Sequence, residues 1–259
     1  MLDRYKYDQF YQGEGTRPEY QAVQEFTDNV YKSQNLLIAT LAMDFIGKSP
    51  KDRKAIESKW IDVLPKLTHV KALSVRHRVN QDYFNAICKM KNLISLEFWT
   101  STVEDISNIK YLSKLKKLKI WSFSRLKDIS HLILLKGLKV LSIDNCFRIG
   151  NFEILGKMTW LIGLELCGNS HAPKNLRLNS LIPYESLKKL RHLDLSIASV
   201  VDRSFESVLR MTSLERLDIT SYIPKKIRDE IKAKHKRLNA GFFMDWDFEN
   251  KRFYEGKKW

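Results

Sequence analysis

Trp99 and Trp121 each follow an apolar strand residue, Phe98 in LEFW and Ile120 in LKIW. Further along, Asp144, Glu165, Asp194 and Asp218 stand in similar surroundings, in SID, LEL, LDL and LDI. Indoles presented side by side anchor protein interfaces, and a run of carboxylates steers a basic or hydrogen-bond-donating surface toward them. Arg76, Glu97 and Lys119 occupy the matching places in neighbouring segments. The candidate partner-binding set is therefore Arg76, Glu97, Trp99, Lys119, Trp121, Asp144, Glu165, Asp194 and Asp218.

Catalytic constellations are missing from the same inventory. There is no G-x-S-x-G, P-loop, HExxH or G-x-G-x-x-G string, so nucleophile elbows, phosphate cradles and zinc-hydrolase helices are not indicated. Ser170-His171 is a lone dipeptide. Cys88, Cys146 and Cys167 lie in three different settings, none beside a CxxC or a spaced His pair. They are read as buried thiols in a reducing compartment, with neither a disulfide framework nor a metal site. No catalytic residue, metal or cofactor is expected, and no small-molecule substrate.

What positions these residues is a repeat. Leu112, Leu115, Leu118 and Ile120 return as Leu135, Leu138, Leu141 and Ile143. The third of these anchors can be followed through Leu73, Leu96, Leu118, Leu141, Leu164, Leu193 and Leu217, in steps of 23, 22, 23, 23, 29 and 24 residues. Its partner two residues on is Val75, Phe98, Ile120, Ile143, Leu166, Leu195 and Ile219. Apolar residues two apart face one side of an extended strand, so each LxL predicts a short strand with one face in a core. Beyond the strands the apolar period becomes three, as in Val103, Ile106, Ile109 and Leu112, which predicts 3-10 turns. Longer outer arms at 80–90, 201–211 and 224–234 predict helices. One coil cannot bury its own leucines, whereas stacked coils can.

The pattern resembles the leucine-rich repeat family, whose consensus is LxxLxLxxN/CxL, over residues 65–240. At the Asn/Cys position stand Arg78, Ser101, Phe123, Cys146, Asn169, Ala198 and Tyr222. Two of the seven match, so small or aromatic residues are expected to fill the turns in place of an asparagine ladder. The resemblance, to bacterial-type intracellular members in particular, implies an α/β solenoid or horseshoe. It would have a parallel concave sheet, a 3-10 or helical convex side and a protein-recognition role.

Three regions depart from the repeat. Residues 1–64 are expected to form a helical cap, with one helix at about 18–31 and a second starting at Ser49-Pro50 that turns Ile56, Trp60 and Val63 inward. Within that cap 36–45 echoes a degenerate first repeat, Ile38, Leu41 and Met43 answering Val70, Leu73 and Val75. The repeat at Leu164 carries an insertion at 168–184. Residues 241–259 alternate like a closing strand or hairpin, with Glu249-Asn250 in its turn and Trp246, Phe248, Phe253 and Tyr254 shielding the terminal core.

With 45 Lys and Arg against 30 Asp and Glu the chain has a net charge of +15. The excess gathers in turns leading into strands: Lys114, Lys116, Lys136, Lys139, Lys188, Lys189 and Arg191. Aligned by stacking, these make a positive edge for a polyanion such as nucleic acid. That is the alternative to a protein partner on the concave face. The start MLDRYKYDQF carries no signal-peptide pattern, and no stretch of 18 apolar residues occurs, which predicts a cytoplasmic chain without a membrane span; it is expected to be non-enzymatic, from the missing catalytic strings, and a monomer.

Overall fold

The computed structural model describes residues 21–23, 28–38, 48–169, 174–247 and 252–253. The chain divides into two compact units, Met1–Val140 with Arg148–Asn151, and Leu141–Phe147 with Phe152–Trp259.

In the first unit the strands β1 (Gln21–Val23), β2 (Asn35–Ile38), β3 (Ala72–Val79), β4 (Ser95–Ser101) and β5 (Lys117–Trp121) pair in that order, all parallel. Leu73, Leu96 and Leu118 stand in register, as do Val75, Phe98 and Ile120. Each anchor is 0–1% exposed, so the leucines of successive coils form one apolar layer. In β5 burial alternates as the period predicts: Leu118 and Ile120 are buried, while Lys117, Lys119 and Trp121 are half-buried. A bulge between Val75 and Arg78 lengthens β3 by a residue, so Val79 pairs with Ser101. Val79 thereby fills the turn where the repeat spacing points to Arg78, which is exposed.

The outer side follows from short side-chain caps. The DIS triplets at 105–107 and 128–130 each fold an Asp carboxylate onto the Ser amide, Ser107 N–H to Asp105 Oδ1 at 2.7 Å and Ser130 N–H to Asp128 Oδ1 at 2.7 Å. These turns start the 3-10 segments Ser107–Tyr111 and Ser130–Leu134, as the period of three predicts. The helices α1 (Asp28–Lys32), α2 (Pro50–Val63) and α3 (Gln81–Ile87) complete the unit. Helix α2 begins at a reciprocal cap in which Ser49 Oγ accepts from Asp52 N–H and Asp52 Oδ2 accepts from Ser49 N–H, both 3.2 Å. It buries Trp60 fully and leaves Ile56 and Val63 half-buried.

The N-terminal expectation needs correction. Residues 21–23 are a strand paired with β2, so the helix expected at about 18–31 is confined, among described residues, to α1. Leu36 and Ile38 pair with Leu73 and Val75. The extra strand therefore exists, but its anchors fall earlier than the Leu41 and Met43 alignment implies. Those two residues lie outside the described segments.

The second unit holds β6 (Val140–Asp144) from Leu141 onward, β7 (Gly163–Cys167), β9 (His192–Leu195) and β11 (Arg216–Ile219). β7, β9 and β11 are joined in parallel register. The insertion is structured where it is described. β8 (Leu176–Leu178) pairs in parallel with β10 (Ala198–Val200), and Leu176, Leu178 and Leu181 are buried. The arm at 201–211 contains a 3-10 turn, Glu206–Arg210, where a helix was expected. At 224–234 the expected helix is present as α4 (Lys225–Lys234). Past it α5 (Phe242–Asp245) leads to β12 (Trp246–Asp247), which pairs antiparallel with β13 (Arg252–Phe253) in the region where a closing strand or hairpin was expected. The turn at Glu249-Asn250, together with Phe248 and Tyr254, lies outside the described residues. Gly241 has φ +101°, and a Cβ there would strike the Leu217 backbone, so glycine is required where the chain closes over β11.

Leu118→Ala should remove about 3 kcal/mol, the range for a buried leucine replaced where the site cannot collapse. Lys119→Ala, one residue on and pointing the other way, should change stability by less than about 0.5 kcal/mol. Urea unfolding of the two variants checks the strand alternation, and equal losses would contradict it.

Candidate functional site

The side chains that alternate with the anchors form a polar face in each unit. In the first, Trp99 and Trp121 meet edge to face with ring centroids 4.6 Å apart and planes at 75°. This is a favoured arrangement because the positive edge of one ring meets the negative face of the other. The Arg76 guanidinium lies over Trp99, 4.4 Å from its centroid, a cation-π contact. Both indoles are half-buried. Trp99 Nε1 is buried with no hydrogen-bond acceptor among the described residues, so what Trp99 shows to solvent is ring carbon. Lys119 and Arg76 are half-buried beside them.

Glu97 belongs to the same face but not to its accessible part. It is 2% exposed, holds Lys117 Nζ at 3.3 Å and accepts from Ser74 Oγ at 3.3 Å. The register explains the grouping, since Ser74 and Glu97 are partners across β3 and β4, and Ser95 and Lys117 across β4 and β5.

In the second unit the same register stacks Glu165, Asp194 and Asp218 on successive strands. Alternation alone predicts solvated carboxylates on an open face. Instead Glu165, Asp194 and Asp218 are only 9%, 6% and 5% exposed and His192 is fully buried. Asp144, at the end of β6, remains half-buried. Arg216 forks onto Asp218, Nε to Oδ2 at 2.7 Å and Nη2 to Oδ1 at 3.3 Å, and the Phe242 amide donates to Oδ1 at 2.8 Å. Asp194 Oδ1 accepts from Ser196 N–H at 2.8 Å. Desolvation, with Glu165 and Asp218 close by, still pushes the Asp194 carboxyl up to about 7. Burial outweighs the Asp218 carboxylate at His192 and pulls the imidazole down to about 3. Its Nε2, 3.6 Å from Asp218 Oδ2, is thus a neutral group at physiological pH.

Two sets of potential ligands share Asp194: Glu165, Cys167 and Asp194, and His192, Asp194 and Asp218, each set with its atoms within 4.8 Å of one another. The repeat register places Glu165, Asp194 and Asp218 in one column, but spacing does not show that they are buried or that Cys167 and His192 come within ligand distance of them. Asp218 and Asp194 already accept from Arg216, Phe242 and Ser196, so the arrangement is first a buried hydrogen-bonded layer. All three cysteines are free and buried. Burial pushes the Cys88 and Cys167 thiols above their ordinary value, with Asp194 and Glu165 adding to the effect at Cys167. Neither is therefore poised as a thiolate nucleophile. Ser170-His171 lies outside the described residues.

The basic residues divide between the units. Lys114, Lys116, Lys136 and Lys139 are exposed on the turns of the first. In the second, Lys188 and Lys189 are exposed, but Arg191 is claimed by Glu215 through Nε–Oε1 and Nη2–Oε2, both 2.6 Å.

Parallel strands on one side of every coil, 3-10 turns or short helices on the other and a leucine layer between define a leucine-rich repeat fold. Solved structures agree. A Leptospira interrogans LRR protein, LIC12759, matches 85% of this chain and 57% of its own at 18% identity and TM-score 0.59. Two Listeria monocytogenes str. 4b F2365 internalins match at 18% identity. inlF has a TM-score of 0.54 over 68% of this chain and 55% of that one. inlC2 has a TM-score of 0.51 over 68% and 73%. This chain thus spans little more than half of inlF and of the Leptospira protein, and the likeness is one of fold. No family model and no curated protein matches the sequence. Among the described residues no helix is long and apolar enough to cross a membrane.

The buried titratable groups pull in opposite directions. Asp194 binds its proton more tightly folded than unfolded, so its share of stability declines as pH rises from about 4 to about 7. His77, drawn down to about 4 by burial, and His192 bind theirs less tightly when folded. Their share is lost as pH falls below about 6.5. Asp194→Asn keeps the acceptor for Ser196, so its melting temperature should match that of the parent near pH 4 and exceed it by on the order of 5 °C at pH 7.5. His77→Gln should instead lose less stability than the parent between pH 6.5 and 4.5. Thermal melts across pH 4–8 check both slopes.

Proposed function

We propose that this chain is a non-catalytic recognition module that binds a protein partner through the strand face of its leucine-rich coils. The observation that carries the reading is the Trp99–Trp121 pair, stacked edge to face under Arg76 and still half accessible. Packing of the coils does not call for two indoles there, because Phe98 and Ile120 already fill the core positions of those strands. Arg and Trp are the side chains most enriched at interface hot spots. Arg76, Trp99, Lys119 and Trp121 are the contact residues of the first unit on this reading, and Asp144 is the candidate contact residue of the second, taken by itself. Glu97, Glu165, Asp194 and Asp218 act from beneath, fixing neighbouring side chains and the sign of the local field.

The remaining organisation is read in the same terms. Residues 1–64 cap the first coil, 65–240 are the repeats, and 241–259 close the last. Free, buried cysteines support a reducing compartment, for which the cytoplasm is proposed, and a monomer is proposed as the working state.

The test is a pair of variants. Trp99→Ala with Trp121→Ala should abolish recovery of a partner from the source cell, where the parent chain retains it after nuclease treatment. The melting temperature should fall by no more than a few degrees. Recovery of the same partner by a folded double variant defeats the reading. Should the double variant unfold, Arg76→Glu, at a half-buried side chain, asks the same question without emptying the indole pair, and is expected to weaken binding at least tenfold.

A further inference from the structure

We propose that the turn edge of the first unit is a docking surface for an anionic phospholipid bilayer, separate from the face that carries the Trp pair. The surface is built by the backbone. Ile94 and Ser95 N–H both donate to Lys71 O at 2.7 and 3.1 Å, Lys116 and Lys117 N–H to Ile94 O at 2.8 and 3.1 Å, and Lys139 and Val140 N–H to Lys116 O at 2.8 and 3.0 Å. Lys71, Ile94, Lys116 and Lys139 therefore occupy one column, about 4.8 Å from coil to coil. Lys114 Nζ reaches Asn92 Oδ1 of the preceding coil at 2.7 Å, so the side chains follow the same stacking. Lys66, Lys89, Lys91, Lys114, Lys116, Lys136 and Lys139 are exposed. The four turns, 64–71, 88–95, 111–117 and 134–140, contain no Asp or Glu.

The second unit has the same coil geometry and a different charge pattern. Two of its turns carry Glu185 and Glu215, which bind Arg210 at 2.5 Å and Arg191 at 2.6 Å, while those at 157–163 and 234–240 also lack Asp and Glu. Four successive acid-free turns are thus a property of the first unit, whereas in the second such turns are separated by acid-bearing ones.

Apolar exposure decides which polyanion fits. Ile94, Tyr111 and Leu134 are 44%, 51% and 48% exposed, and all three lie in the lysine-bearing turns. A single exposed leucine is ordinary. Three apolar side chains interleaved with lysines are what a membrane interface accepts, the apolar groups entering the headgroup boundary and the ammonium groups meeting lipid phosphates. Nucleic acid is served less well. The turns hold lysine and no arginine, so the bidentate fork for phosphates and bases is missing. Of the exposed apolar groups only Tyr111 can stack on a base.

The experiment is co-sedimentation of the full chain with phosphatidylcholine vesicles, with and without 30% phosphatidylglycerol, at low and at 0.5 M salt. Binding is expected only to the anionic vesicles and is largely lost at high salt. Lys114→Glu, Lys116→Glu, Lys136→Glu and Lys139→Glu together should cost at least 100-fold, since each lysine near an anionic surface is worth about fivefold. Ile94→Ser with Leu134→Ser should weaken binding about tenfold at unchanged salt slope. Lys188→Glu with Lys189→Glu, two exposed positions of the second unit, should change it by less than about threefold. The proposal is overturned if the chain ignores anionic vesicles, or if reversal in the second unit costs as much per charge as in the first, which would reduce the effect to net charge alone. It is equally overturned if single-stranded RNA at the same phosphate concentration binds more tightly than the vesicles. Far-ultraviolet spectra and melts of each variant establish that the comparisons are between folded proteins.

Discussion

The rest of the structure depends on a backbone contact between coils, in which one carbonyl accepts two successive amides from the next turn. Lys71 O, Ile94 O and Lys116 O do this in the first unit, and Ile162 O and Arg191 O repeat it in the second, taking Arg191 with His192 and Glu215 with Arg216. A strand of four or five residues has too little apolar surface to hold itself, so each is stable only where its neighbour satisfies its polar groups and covers its leucines. Because the contact recurs at these coil entrances, it sets the phase of the strands that follow them. That phase places the anchor pairs in register and every intervening side chain in a matching column. Where a coil is lengthened the phase is restored locally, by the β3 bulge in the first unit and by the β8–β10 pair in the second.

Column formation has an electrostatic consequence. Strands about 4.8 Å apart bring like residues of successive repeats within Coulomb range. Glu165, Asp194 and Asp218 are thereby stacked, and with burial the protonated form of Asp194 is favoured. Asp218 accepts from Arg216 and from the Phe242 amide, the latter in the segment that closes the final coil. In the first unit the corresponding position is settled by a cation, Lys117 against Glu97. The polar face is thus not a uniform recognition surface. Part of it is an internal layer whose charges hold one another, and the accessible part is narrowed to Arg76, Lys119 and the two indoles in the first unit and Asp144 in the second.

The edges obey the same logic with the opposite sign. Turns that stack in columns align whatever charge they carry. Lysines in four acid-free turns make a continuous positive strip, whereas turns that include Glu185 and Glu215 form local ion pairs. A net charge of +15 is therefore distributed by coil geometry and turn composition together.

By itself the sequence determined the repeat and its anchors, the 3-10 outer turns, the helices starting at Pro50, Gln81 and Lys225, the closing hairpin and the columns into which Trp99, Trp121 and the carboxylates fall. These are periodic, local properties, because an alternation of two or three residues and a Ser-Pro or Asp-Ile-Ser cap act within a few bonds of the residue that carries them. Only the tertiary structure decided that residues 21–23 are a strand, that Leu36 and Ile38 are its neighbour's anchors, and that Glu165, Asp194, Asp218 and His192 are desolvated. It likewise decided that Arg191 is spoken for by Glu215. Alternation tells which way a side chain leaves its strand. Whether water or another part of the protein meets it there depends on residues 20 or more positions away, and no local pattern carries that information.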